Sequence, residues 1–186
     1  MRACQLIMKK TGTIEALNVS PKGFYEGFLL RTGKKIIQIN LPKEEHGTSG
    51  EGLNPGDRVT VEVEPESPRG EPVHEVFRLV GLPGANDHLA KGDKHGTRHF
   101  SGRIERLNYA LHGEVNGGMM DSGDFLHLKP EGARSVKLTT GMKVNGRGSS
   151  RPMLGGHSVM EATEVNGIEI HHHKPKKKHA ASHARE

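Results

Sequence analysis

The chain repeats itself: Gly12-Thr-Ile-Glu-Ala-Leu-Asn18 returns as Gly102-Arg-Ile-Glu-Arg-Leu-Asn108, and further landmarks follow in the same order. A spacing of about 90 residues is too long for a solenoid unit and reads as two copies of one small domain. Units of roughly 75 residues sit near the size at which one core yields a few kcal/mol, so mutual support between the copies is expected. The 25 Gly and 10 Pro lie between short apolar runs, which points to an all-β chain with many turns.

Charge is unevenly placed. Of the formal +5, residues 171–186 carry five Lys and Arg against Glu186, a net of +4, which leaves +1 for the remainder. A groove that works by electrostatics alone would mark the body more strongly. Cys4 is the sole cysteine, so no intramolecular disulfide forms. The N-terminal apolar stretch is too short for a signal peptide and no later run is long enough to span a bilayer; a cytoplasmic protein without a membrane partner is expected.

Alternation and turn chemistry predict five strands per unit. In the first these are Gly12–Asn18, Phe24–Leu30, Ile36–Leu41, Arg58–Val63 and Val73–Leu82, with turns at 31–35 and at Asn54-Pro-Gly-Asp57 and a polar loop over 42–52. In the second, aligning Gly27 with Gly118 and shortening the hairpin by two residues brings Phe125–Leu128 onto Ile36–Ile39. Leu138–Val144 repeats Leu53–Val59, and Val159–Ile170 ends the set. The expected organisation is a first barrel over 1–83, a polar linker over 84–99, a second barrel over 100–170, and a disordered His- and Lys-rich tail over 171–186.

Five short strands with a Gly-containing second hairpin and a long segment between strands three and four resemble an oligonucleotide/oligosaccharide-binding (OB) fold. The run Gly102-Arg-Ile-Glu…His112-Gly-Glu-Val-Asn-Gly…Asp121-Ser-Gly-Asp-Phe-Leu-His127-Leu-Lys-Pro130…Gly141-Met-Lys-Val144 is similar to small bacterial OB-like proteins of uncharacterised function. Met142 stands where that pattern has Asp, whereas Asp57 keeps it. The resemblance implies two tandem five-stranded OB-like barrels and a generic expectation of nucleic-acid binding; fold alone assigns no function.

Strand parity divides the side chains into two faces. Phe24, Phe28, Ile37 and Ile39, with Val115, Met119, Leu126 and Leu128, are assigned to the cores. Tyr25, Leu29, Ile36 and Gln38, with Asn116, Met120, Phe125 and His127, fall on the outer face. In OB folds that face takes the ligand, and single strands are held by stacked rings and cations. Tyr25, Arg31, Phe125, His127 and Arg151 are therefore the candidates for nucleic-acid contact, joined by Lys174, Lys176, Lys177 and Lys178 of the tail. The competing reading is that these apolar outer faces pack against each other or against a protein partner. A third reading takes His112, His127 and His157, near several Met, as ligands for a transition metal, although no pair has a diagnostic spacing. No nucleophile elbow, Cys–His signature or phosphate-cradling loop is present, so neither catalysis nor a cofactor is expected.

Overall fold

The computed structural model describes residues 6–42, 53–68, 70–80, 95–153 and 156–171. The 43–52 segment, most of the 84–99 linker and nearly all of the tail lie outside these residues. The first barrel comprises β1 (Met8–Val19), β2 (Tyr25–Thr32), β3 (Lys35–Asn40), β4 (Arg58–Pro65) and β5 (Glu75–Leu79). Its strand order is β1-β2-β3-β5-β4, closed by β4 on β1. The β3–β5 pair is parallel and the others are antiparallel.

The second half repeats the plan with β6 (His95–Tyr109), β7 (Val115–Met120), β8 (Phe125–His127), β9 (Lys143–Pro152) and β10 (Ser158–Val165), where β8–β10 is the parallel pair and β9 pairs with both β10 and β6. This is the OB-like architecture in both halves. The short strand β11 (Ile168–Glu169) folds back on β10. The long strand β6 starts at His95, inside the stretch read as linker.

Between β8 and β9 runs a helix that turn signals did not reveal, α1 (Pro130–Val136). Pro130 occupies its first turn, where a missing N–H costs nothing, and Lys137 ends it in the left-handed region with its N–H on Ala133 and Arg134 oxygens. Gly132, Ala133 and Val136 form its buried side, too short a stripe to show a helical period.

Each barrel has its own core. Ile14, Phe28, Leu30, Ile37, Ile39, Val63 and Leu79 fill the first; Ile104, Met120, Leu126, Leu128, Val144 and Ala162 are prominent in the second. One expected assignment is corrected here. Gly27 stands opposite Asn18, and Gly117, not Gly118, stands opposite Asn108. A Cβ on Gly27 would strike the carbonyl of Ile39, and one on Gly117 that of Leu126, so both positions need glycine for the same close approach.

Leu30 faces Ile37 across the first hairpin, whereas Met120 meets Asp124 in the second, a connection shorter by three residues. A one-residue error in β7 inverts its faces. Met120 therefore lies in the core and Met119 points outward, against expectation. Phe24 precedes β2, half-buried and outside the core, while Val115 packs on the second core and on the contact between barrels.

The outer sheet faces meet, as the packing alternative requires. Val19, at the end of β1, joins Phe125, Met153 and Val159 of the second barrel, with Met119 and Tyr25 packed alongside. Reciprocally, Tyr109, at the end of β6, joins Ala16 and Leu29 of the first, with Ile36, Leu107 and Val115 alongside. Polar contacts close the seam. Asn108 Oδ1 accepts from Val19 N at 2.8 Å and its Nδ2 donates to Val19 O at 2.9 Å and to Asn116 Oδ1 at 2.8 Å. Gln38 and Asn40 donate to the carbonyls of Ala110 and Leu111, both at 2.8 Å, and Val73 N donates to Gly113 O.

Asn108 is fully buried and satisfies three groups at once, so Asn108→Ala strands both Val19 backbone groups. It is expected to lower the unfolding free energy by about 3 kcal/mol, read as a reduced urea midpoint. An unchanged midpoint would show that this grip contributes nothing to stability.

Candidate functional site

The residues proposed from sequence are drawn together by the fold, but mostly inside the seam. Phe125 is 0% exposed, its ring 5.8 Å from that of His127, which is itself buried. Neither ring offers a face to a base in this arrangement. Tyr25 is half-buried between the first core and the seam. Beside it stands Arg106, whose guanidinium donates to Leu17 O at 2.8 Å; burial lowers its pKa, and Tyr25 works in the opposite direction.

Arg31 lies apart at the hairpin end, exposed and ion-paired with Glu15, a contact that holds the Glu15 carboxyl below its ordinary pKa. Arg151 is ion-paired with Glu161 at 2.6 Å, and Glu161 stands opposite His127 in the β8–β10 register. The proposed lysines of the tail lie outside the described residues.

The histidines of the metal reading are not assembled. His112 is exposed on the β6–β7 turn, His127 is buried in β8, and the ring of His157 lies against the β7–β8 turn at Gly123. Among the described residues no three His, Cys, Asp or Glu side chains stand close enough to hold a metal ion.

A different surface emerges when the two barrels serve as controls for each other. Gly12 pairs with Val59 as Gly102 pairs with Val144, so β4 and β9 are equivalent strands. The residues of β4 that alternate with its core positions are Arg58, Thr60, Glu62 and Glu64, continued by Glu66 beyond the strand. At the same positions β9 carries Lys143, Asn145, Arg147, Ser149 and Arg151. The row has inverted its charge.

In the first barrel three acids meet three cations or an amide: Lys9 pairs with Glu62 at 3.6 Å, Arg78 with Glu64 at 2.6 Å, Asn40 donates to Glu66 at 2.7 Å, and Arg58 is the third cation. In the second, Arg147 pairs with Glu164 at 2.9 Å and Arg151 with Glu161 at 2.6 Å, Asp121 accepts from the Arg103 backbone at 3.1 Å, and Lys143 lies across from Arg103. His99 lies across from Arg147. Like charges opposite one another in a sheet are unfavourable unless an anion joins them. A cleft of about 370 Å³ opens between His99, Phe100, Asn145, Arg147 and Glu164 on this surface.

This row was legible in principle, since Lys143-Val-Asn-Gly-Arg-Gly-Ser-Ser-Arg151 alternates. Gly146 and Gly148 stand where apolar core residues would mark the alternation as a strand. Both are required because a Cβ on either would enter the backbone of β10, at Glu164 and Glu161.

No protein-family model and no curated protein matches the chain. Among solved structures, the wild-type single-stranded DNA binding protein from Thermus aquaticus aligns over 94% of this chain and 97% of that one, with 15% identity and a TM-score of 0.28.

Because Phe125 is buried in the seam, Phe125→Ala should act first on stability. A loss of about 3–5 kcal/mol in urea unfolding is expected. A loss under about 1 kcal/mol would place the ring outside the packed contact.

Proposed function

We propose that the protein is a non-enzymatic binding protein that contacts nucleic acid through phosphates along the outward β6–β9 surface of the second barrel, with the basic tail extending that contact. The observation that supports this most directly is the charge-inverted row: Arg103, Arg147 and Arg151 stand where the first barrel has Thr13, Glu62 and Glu66, while Lys143 keeps the charge of Arg58. Arg103 and Lys143 remain in excess over Glu161 and Glu164, which pair with Arg151 and Arg147.

Phosphate oxygens between Arg103 and Lys143 would relieve their repulsion, and the Arg147 guanidinium, held by Glu164, presents donors already oriented for an oxyanion. The described residues end at His171. Ile170 N donates to Thr163 O, and the Thr163 hydroxyl donates to Arg147 O, so the last described residues adjoin this surface.

With rings buried, base stacking contributes little, and the contact is sequence-independent and salt-sensitive. A protein-interaction scaffold using the apolar outer faces has less room, because those faces already cover each other.

The test is fluorescence anisotropy with labelled single-stranded DNA and RNA of one sequence at two salt concentrations. Binding at low salt should weaken steeply at the higher, with Lys143→Glu/Arg147→Glu reducing affinity at least about tenfold. A chain ending at His171 should retain part of the binding. Absence of binding at low salt, or affinity in the charge-reversed variant equal to the parent, would overturn the assignment.

A further inference from the structure

At one buried position the two barrels differ by a carboxyl against an amide. Asn108 is oriented by Asn116, which accepts from its Nδ2 at 2.8 Å, and so aligned it grips Val19. The same strand irregularity recurs in the first barrel. Asn18 pairs with Gly27 and Val19 with Tyr25, as Asn108 pairs with Gly117 and Tyr109 with Val115, and in each case one residue of the second strand is skipped. That residue is Asn116 in one barrel and Glu26 in the other. Its carbonyl accepts from the next strand in both, from Leu41 N and Leu128 N.

The first barrel is thus built as the second, with a carboxyl in place of an amide. Asn18 is 1% exposed, and neither its Oδ1 nor its Nδ2 has a hydrogen-bond partner. Glu26 is 6% exposed. An ionised carboxylate there is costly, whereas a protonated carboxyl donates a hydrogen bond and accepts another.

We propose that Glu26 is a proton-operated latch on the contact between the barrels. Protonated, it orients Asn18 as Asn116 orients Asn108, and the Asn18–Val19 segment that Asn108 grips is held in place. Ionised, it draws water into the strand irregularity, the segment loosens, and the outer faces around Phe125, Met119 and Leu29 become reachable.

The charged or titratable groups on the elements around it are Lys9, Lys10 and Glu15 on β1, Lys22 on the β1–β2 turn, Tyr25 and Arg31 on β2, Lys35 on β3, Arg106 of β6 beside Tyr25, and Glu66, which Asn40 holds. None contributes to the shift of Glu26, which desolvation alone raises to about 7. The sign follows from this shift: the folded chain binds the proton more tightly than the unfolded chain does. Stability is therefore lost as pH rises from the ordinary glutamate range toward 7.

The experiment uses the intact protein. Carbon-detected NMR follows the Glu26 carboxyl and the Asn108 side-chain amide between pH 5 and 9. The carboxyl should titrate near 7, with the Asn108 amide shifting at the same midpoint. Glu26→Gln should abolish that shift and remove the rise in fluorescence of an apolar-surface dye that the parent protein shows above pH 7. Titration of Glu26 at an ordinary glutamate pKa, or an Asn108 amide indifferent to it, would overturn the latch even if the Gln variant failed to fold.

Discussion

Asn108 takes hold of the Val19 backbone from the other barrel with both ends of its amide, and the molecule is organised around that grip. The backbone groups of Val19 are consumed by it, so the end of β1 cannot leave the seam without stranding a donor and an acceptor away from water. Around it the apolar outer faces are buried in two reciprocal patches, one centred on Val19 and one on Tyr109. Cores as small as these have little stability to spare, and each barrel gains from its neighbour the apolar burial that a longer chain would find in its own interior.

That economy has a functional consequence. In a solitary OB-like barrel the outer sheet face is open to ligand; here the second copy occupies it. Side chains suited to stacking become packing, and the surfaces left to meet a partner are those that turn away from the seam. The outward row of β9 is one of these, and its inverted charge relative to β4 arises entirely from side chains, because the backbone pairing of the two strands is the same.

The duplication also separates what backbone geometry demands from what it leaves open. Gly27 and Gly117 are both glycine because a neighbouring carbonyl occupies the space a side chain would need. Asn18 and Asn108 are both asparagine at the same strand irregularity. Elsewhere the copies diverge in chemistry at matched positions: Gln38 and Phe125 are equivalent by their pairing with Val76 and Val159, and Glu26 and Asn116 by theirs with the irregularity. The outward rows of β4 and β9 diverge to acidic and basic in the same way, and at the irregularity a buried carboxyl stands where its counterpart is an amide.

By itself the sequence determined the all-β class, the repeat and most of the strands, because alternation and turn residues are local signals that survive without a partner. It also established which residues of β3 and β8 point inward, since those strands are regular. The β7 faces were misassigned because the hairpin differs by three residues, and nothing in a Gly-Gly-Met-Met run states which glycine meets a carbonyl. The helix Pro130–Val136 was too short to show a period, and Gly146 and Gly148 concealed the basic strand. Which outer residues are buried between the barrels and which stay exposed was decided by tertiary structure. Phe125 and a stacking ring are the same side chain until the other barrel arrives to cover one of them, and burial is a property of that arrival, not of the residue.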